Sequence, residues 1–328
     1  MSSLNMHRFA AWCAAFLAGF TLAGCDSPAA PAPSPTALVS VAATASPSPS
    51  APPVPTAAAA LPIDGCEARP GIARRVEGTN GPYGHQVAVA ETRDGVTLTG
   101  ARQVIDHASV PDGVRLADGS VRVYYVNGAE GAVWVAALDT KGATPIGPIS
   151  IDGASRPVGA VDPDVTLLAN GKVRMTYLGN HGPPRPGTSE WNICIADSED
   201  GVRFTLVGRA IRFSGPQTTD PSVIRLPDGS WLMAVSQGQR TALARSADGL
   251  RYEAYATVDF GGVPELALLS DGRVRLYTCA RGIQSHLSAD TGATWTREAA
   301  NIAPDLGHRI VCDPSFVPGA GIFVYKTG

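Results

Sequence analysis

From about Leu61 to Gly328 the chain shows no helical periodicity. It consists of short Val-, Ile-, Leu-, Thr- and Tyr-rich segments separated by Asp-Gly and Asn-Gly pairs. That pattern predicts β-hairpins in an all-β fold.

Two repeated units order these segments. The first is a strand, a tight turn and a second strand: SVPDGVRLADGSVRVYY from Ser109, VDPDVTLLANGKVRMTY from Val161, TDPSVIRLPDGSWLMAV from Thr219, GVPELALLSDGRVRLYT from Gly262, and a shorter CDPSFVPGAGIFVYKT from Cys312. Pro111, Pro163, Pro221, Pro264 and Pro314 fall in one column. The second unit lies between these copies and centres on Asp94, Asp139, Asp200, Asp248 and Asp290, the Asp139 copy being degenerate. Its first copy precedes every proline repeat. The chain therefore begins with the outer two strands of a blade and ends with the inner two. Five inner and five outer hairpins predict a five-bladed β-propeller closed by N- and C-terminal strands sharing one blade, which removes free sheet edges.

Ahead of this domain, residues 1–25 read as a signal segment. Arg8 supplies a positive start, Phe9–Leu22 is apolar, and the run closes on Leu22-Ala23-Gly24-Cys25. It resembles a bacterial lipoprotein signal, which implies cleavage before Cys25 and lipidation of its sulfur. Residues 26–60 are almost entirely Ala, Pro, Ser, Thr and Val and form a disordered, extended spacer. The expected location is outside the cytoplasm, on a membrane facing the periplasm or cell surface, with the lipid as the sole membrane contact. A net charge of −3 supplies no basic stripe for nucleic acid. We expect a monomer without cofactor or metal.

Cys66, Cys194, Cys279 and Cys312 remain after processing, and four cysteines allow three pairings. Cys279 ends an inner hairpin and Cys312 opens the next, so a disulfide there would pin adjacent blades; Cys66 with Cys194 then follows by elimination.

Ser288-Ala289-Asp290-Thr291-Gly292-Ala293-Thr294-Trp295 resembles the Asp-box of sialidases, with shortened copies at Thr92, Ser198 and Ser246. The Asp-box is a structural turn and speaks to fold rather than activity. No Arg-Ile-Pro stands near the start of the domain, which argues against a sialic-acid site. The Asp-Pro-x-Val inner repeats resemble five-bladed glycoside hydrolases acting on arabinans, xylans and fructans. That resemblance implies a carbohydrate ligand and a catalytic set from successive inner strands: Asp162 as base or nucleophile, Asp220 as orienting group, Glu265 as acid. Glu265 follows its proline, whereas the family's acid precedes a Gly-Pro. The alternative is a non-catalytic propeller that binds glycan or a protein partner as a scaffold or assembly factor.

The repeat itself weighs these carboxylates. Before the proline stand Val110, Asp162, Asp220, Val263 and Asp313; after it stand Asp112, Asp164, Ser222, Glu265 and Ser315. The first column shares Asp in three blades, as architecture would; the second varies, as a site would. Strand alternation places both columns on one face. Candidate ligand contacts are Asp112, Asp164, Asp313, and, from loops at the same end, His181, Arg185, Arg281 and Arg309. Arg122, Arg174 and Arg275 recur at one repeat position and read as strand-surface residues.

Overall fold

Four of the five inner hairpins turn on the same three-residue loop. The N–H groups of Leu116, Leu168, Leu226 and Leu269 donate to the carbonyls of Ser120, Lys172, Ser230 and Arg273 at 2.8–2.9 Å. The last loop residue is Gly119, Gly171, Gly229 or Gly272, at φ between +84° and +89°, where a Cβ is costly. The preceding Asp118, Asn170, Asp228 or Asp271 accepts the N–H two residues on. The Asp-Gly and Asn-Gly pairs thus set hairpin register through side chain and backbone together.

The computed structural model describes residues 59–78, 80–179, 190–215 and 217–328. The leader, Cys25, most of the spacer, His181 and Arg185 lie outside the described residues. The described chain is all-β, apart from a single 3-10 turn at Pro82–Gly84, and forms a five-bladed propeller. Blade 1 runs outward from the channel through Ala108–Arg115, Val121–Asn127, Ala132–Asp139 and Gly142–Pro148. Blade 2 comprises Ala160–Leu167, Val173–Gly179, Glu190–Ser198 and Arg203–Ser214, extended by the short Ser150–Ile151 and Ala154–Ser155 pair. Blade 3 is Thr219–Arg225, Trp231–Gln237, Arg240–Ser246 and Glu253–Val258. Blade 4 is Gly262–Leu268, Val274–Ala280, Gly282–Ser288 and Thr296–Ala300.

Blade 5 closes the ring. Val311–Val317 and Ile322–Thr327 supply its inner strands, and Gln86–Glu91 and Thr99–Asp106 its outer ones. The joint is an unbroken antiparallel register from Gln86↔Thr327 to Glu91↔Ile322. Two disulfides pin the ring: Cys66–Cys194 ties the entering segment to blade 2, and Cys279–Cys312 ties blade 4 to blade 5.

The core lies between blades, where Tyr124, Val135, Met175, Tyr177 and Phe204 pack between blades 1 and 2. Polar latches cross the same seams. Arg122 donates to the Asp200 carbonyl, Arg174 to that of Gly249 and Arg275 to that of Asp94. Each arginine of one blade thus caps the outer turn of the next. The expectation of strand-surface arginines is corrected here, since Arg174 and Arg275 are buried. Their aliphatic stems pack between sheets while the guanidinium satisfies carbonyls that water does not reach.

The turns they cap are built alike. The hydroxyls of Thr92, Ser198, Ser246 and Ser288 accept the N–H of Gly95, Gly201, Gly249 and Gly292. The aspartate two residues after each hydroxyl accepts backbone N–H groups further on. At Asp290, hydrogen bonds from the Thr294 hydroxyl and N–H hold the carboxyl at about 2.

Arg174 also pairs bidentately with Asp197 at 2.8 and 2.9 Å. Arg174→Ala strands that carboxylate and the Gly249 carbonyl together, and is expected to cost about 2–4 kcal/mol in denaturant unfolding. Arg203→Ala removes an ion pair whose arginine is 80% exposed, and is expected to leave the unfolding midpoint unchanged.

Candidate functional site

Every inner strand bends at its proline. Val110, Asp162, Asp220, Val263 and Asp313 all adopt the left-handed conformation, at φ +47° to +51°. The residue before proline is driven out of the right-handed helical region. A non-glycine residue at positive φ costs of order 1–3 kcal/mol, so only over-determined surroundings hold it. In each blade the pairing to the second strand slips at this point. That bulge breaks strict alternation. Both proline-flanking columns reach across the channel to the next innermost strand, one nearer the mouth and one deeper, so they form two layers along it.

The deeper layer is a closed ring of hydrogen bonds. Asp112 Oδ2 accepts the Val165 N–H at 2.6 Å, Asp164 Oδ1 that of Val223 at 3.1 Å, and Ser222 Oγ that of Leu266 at 2.9 Å. Glu265 accepts the Phe316 N–H, and Ser315 Oγ accepts that of Gly113 at 3.0 Å. Each post-proline side chain therefore holds the innermost strand of the next blade. The serines also donate, Ser315 to Asp112 Oδ1 at 2.6 Å and Ser222 to Glu265 Oε2 at 2.8 Å. Asp112, Asp164 and Glu265 are 6–8% exposed, and one carboxylate oxygen from each lies within 4.8 Å of the others. Burial raises Asp112 to about 6. Burial and then the neighbouring carboxyls push Asp164 and Glu265 well above their ordinary values. From this ring a cavity of about 250 Å³ runs toward the far ends of the inner strands at Arg115, Arg225 and Pro318.

The shallower layer, at the channel mouth, gathers Asp162, Asp220, Asp313 and Lys326. Lys326 Nζ pairs with the buried Asp313 at 2.7 Å. Burial opposes its charge, but Asp313, then Asp220 and Asp162, hold the ammonium above its usual value. Asp313 also accepts the Val110 N–H at 3.2 Å, and Asp162 the Asp220 N–H at 3.4 Å. In the other blades Ser236 and Cys279 serve this purpose, accepting the N–H groups of Val263 and Asp313. Asp220 caps no strand of a neighbouring blade among the described residues; its carboxyl takes a hydrogen bond from the Thr219 side chain. Burial, then the Asp313 charge, raises Asp220 to about 6. Burial, then Asp220 and Asp313, lifts Asp162 well above its ordinary value.

The sequence-predicted residues thus divide. Asp162, Asp220 and Asp313 meet at the mouth, while Glu265 stands one layer deeper with Asp112 and Asp164. In blade 4 the mouth position is Val263, and a Cβ on the preceding Gly262 would stand 2.0 Å from the Gly238 carbonyl oxygen. Arg281, in the turn between Ala280 and Gly282, and Arg309, before Val311, are exposed at the mouth end.

Sequence reasoning missed Lys326 and His85. Lys326 ends a second-strand column reading Tyr125, Tyr177, Val235, Thr278, Lys326, and its charge there was the available signal. His85 is buried beside it, with Nδ1 3.0 Å from Ser109 Oγ; burial and then the Lys326 charge lower its proton affinity. A larger cavity of about 790 Å³ opens at the seam of blades 5 and 1, lined by Glu91, Arg93, Arg102, Leu138 and Ile322. It contains none of the predicted residues. Phe323 replaces the latch arginine there, and the blade 1 turn is the degenerate Asp139 copy.

No protein-family model and no curated protein matches the chain. Its fold is shared with solved propellers. A protein of unknown function from Dyadobacter fermentans is 16% identical, with a TM-score of 0.52 over 77% of this chain and 85% of that one. An α-L-arabinofuranosidase from Clostridium thermocellum is 15% identical, with a TM-score of 0.50 over 65% of this chain and 80% of that one. At such identities the likeness is one of architecture.

The mouth makes stability depend on pH. A carboxyl raised in the folded state keeps its proton where the unfolded chain has lost it, so the folded state loses relative stability as pH rises from about 4 through about 6. His85 acts in the opposite sense, losing stability as pH falls, and Asp162, Asp313 and Lys326 share the field. Comparison with Asp220→Asn cancels these common contributions. The variant is expected to melt higher than wild type at pH 8, with the difference shrinking toward pH 4.5, by differential scanning calorimetry.

Proposed function

We propose that this chain is an exported, lipid-anchored propeller of the cell envelope that binds carbohydrate at the channel mouth without cleaving it, its outer turns being degenerate Asp-boxes. One observation carries the non-catalytic reading. Glycoside hydrolysis needs one protonated and one ionised carboxyl facing each other across the sugar. The acid implied by the hydrolase resemblance belongs two residues before Pro264, and there Gly262 is pressed too closely against the Gly238 carbonyl to bear a side chain. Glu265 cannot stand in for it. It is 8% exposed, in the deeper layer, and tied to Ser222 and the Phe316 N–H.

What the mouth offers is a half-buried group of acceptors and one ammonium, with Asp220 the carboxyl left free of capping duty. Carboxylates and an ammonium suit the dense hydroxyls of a sugar, accepting from and donating to them. The architectural likeness to an arabinofuranosidase favours a furanose- or pentose-rich glycan. A second reading, hydrolysis with Asp220 as acid, is favoured by its value of about 6.

Calorimetric titration with arabino- and xylo-oligosaccharides, run beside turnover of aryl arabinofuranosides and xylosides, separates the two. Binding without turnover is expected, weakened roughly tenfold, or about 1.4 kcal/mol, by Asp220→Asn. Turnover that Asp220→Asn abolishes would establish the hydrolase instead, and neither binding nor turnover would remove carbohydrate from the account. For the anchor, labelled palmitate is expected in the wild-type chain made in a bacterial host. Cys25→Ala should lose the label, and label retained in that variant would exclude Cys25 as the lipid site.

A further inference from the structure

We infer that the cavity at the seam of blades 5 and 1 binds a short aliphatic peptide by both its charged ends, independent of the carbohydrate reading. The seam is open because the device that shuts the others is missing. Arg122, Arg174, Arg245 and Arg275 donate across the other four seams, to the carbonyls of Asp200, Gly249, Thr291 and Asp94. Among the described residues no arginine donates to the outer turn of blade 1, and Phe323 holds the latch position facing it. That turn is also short and apolar. Leu138 stands opposite Val121, where Ser198, Ser246 and Ser288 stand opposite Val173, Trp231 and Val274. The next strand then resumes at Gly142, whereas after those serines it resumes at Arg203, Glu253 and Thr296.

The lining narrows the ligand. Val89, Leu138 and Ile322 give the cavity an apolar floor, and Val89 and Leu138 are buried. Its aspartates are already engaged. Asp94 accepts the N–H groups of Val96 and Thr97 and the Thr97 hydroxyl, and Asp139 accepts the N–H groups of Lys141 and Gly142. Glu91, Arg93 and Arg102 are not engaged: none has an ion pair or a side-chain hydrogen bond among the described residues. Two guanidinium groups suit a carboxylate, and Glu91 suits an ammonium. The floor takes aliphatic side chains. A short aliphatic peptide carries all three features in one molecule. The volume of about 790 Å³ falls within the about 300–1,000 Å³ of small-ligand sites and exceeds what one amino acid fills. Gln86 pairs with Thr327 at the mouth end of blade 5 and Glu91 with Ile322 at the other end, so this cavity lies away from the mouth.

The test is calorimetric titration of the full-length chain with the tripeptide leucyl-alanyl-leucine at neutral pH and low salt. One peptide per chain is expected, with a Kd of about 1 mM or tighter. Acetylating the amino end and amidating the carboxyl end are each expected to weaken binding at least about tenfold, and seryl-alanyl-serine is expected not to bind. Glu91→Gln should cost the free peptide about as much as acetylation does, and cost the acetylated peptide nothing further. Arg102→Gln should stand in the same relation to the amidated peptide. Arg203→Gln, whose arginine is 80% exposed on blade 2, should leave uptake unchanged. If a seam variant misfolds by near-ultraviolet circular dichroism, the blocked peptides on the wild-type chain decide. No saturable uptake of the free peptide by natively folded wild type would overturn the site. Acetylated peptide binding as tightly as free peptide would overturn the role of Glu91 and with it the zwitterion, and amidated peptide doing so would overturn the role of the arginines. Equal uptake of the seryl peptide would overturn the aliphatic assignment.

Discussion

The fold depends on a ring of hydrogen bonds from one innermost strand to the next. A propeller blade pairs each inner strand on one side only, and its other edge faces the channel. The N–H groups on that edge are buried and need partners. Here the residue after each proline reaches across and accepts one: Asp112 for Val165, Asp164 for Val223, Ser222 for Leu266, Glu265 for Phe316 and Ser315 for Gly113. Five such contacts close the circle, each serving one N–H of an innermost strand. The left-handed bend before each proline sets the pitch of that reach, and its cost is met in every blade, so it belongs to the architecture.

This constraint decides what chemistry the channel can hold. An acceptor is required at each deep position, and serine or a carboxylate meets the need equally well. Three of the five are carboxyls, so the ring concentrates potential negative charge where water is scarce. A serine beside a carboxyl donates to it, as Ser315 does to Asp112 and Ser222 to Glu265. Asp164 has no serine that leaves both its oxygens served.

The architecture was legible in the sequence because it repeats. Five prolines in one column, five outer turns and an outer hairpin preceding the first inner one are sufficient to count blades and to close them. The Cys279–Cys312 bridge followed from the same alignment. The membership of each layer was not legible, because its partners come from other blades. Alternation puts Asp162 and Asp164 on one face two residues apart along the strand, and only the neighbouring blades decide that one meets Asp220 and Asp313 and the other Asp112. The latch arginines were hidden for a related reason: a charged residue in a strand reads as solvated until the neighbouring blade brings carbonyls to it.

The comparison between blades also changes how variation is weighed. The post-proline column varies in residue type yet is constant in role, since every member accepts one N–H. Variation there marks chemical equivalence among acceptors and says little about a site. At the mouth the logic reverses. Asp162 and Asp313 cap the next blade, while Ser236 and Cys279 take over that duty around Val263 and Asp313. Asp220 is the mouth carboxyl released from it, and Lys326 is the charge that a column of Tyr, Tyr, Val and Thr does not require. Asp220, a carboxyl that capping does not need, is half-buried beside the Asp313 charge, and its ionised form costs stability. That cost, with the Lys326 ammonium set among the same carboxyls, is what supports the proposed recognition at the mouth rather than in the ring beneath it.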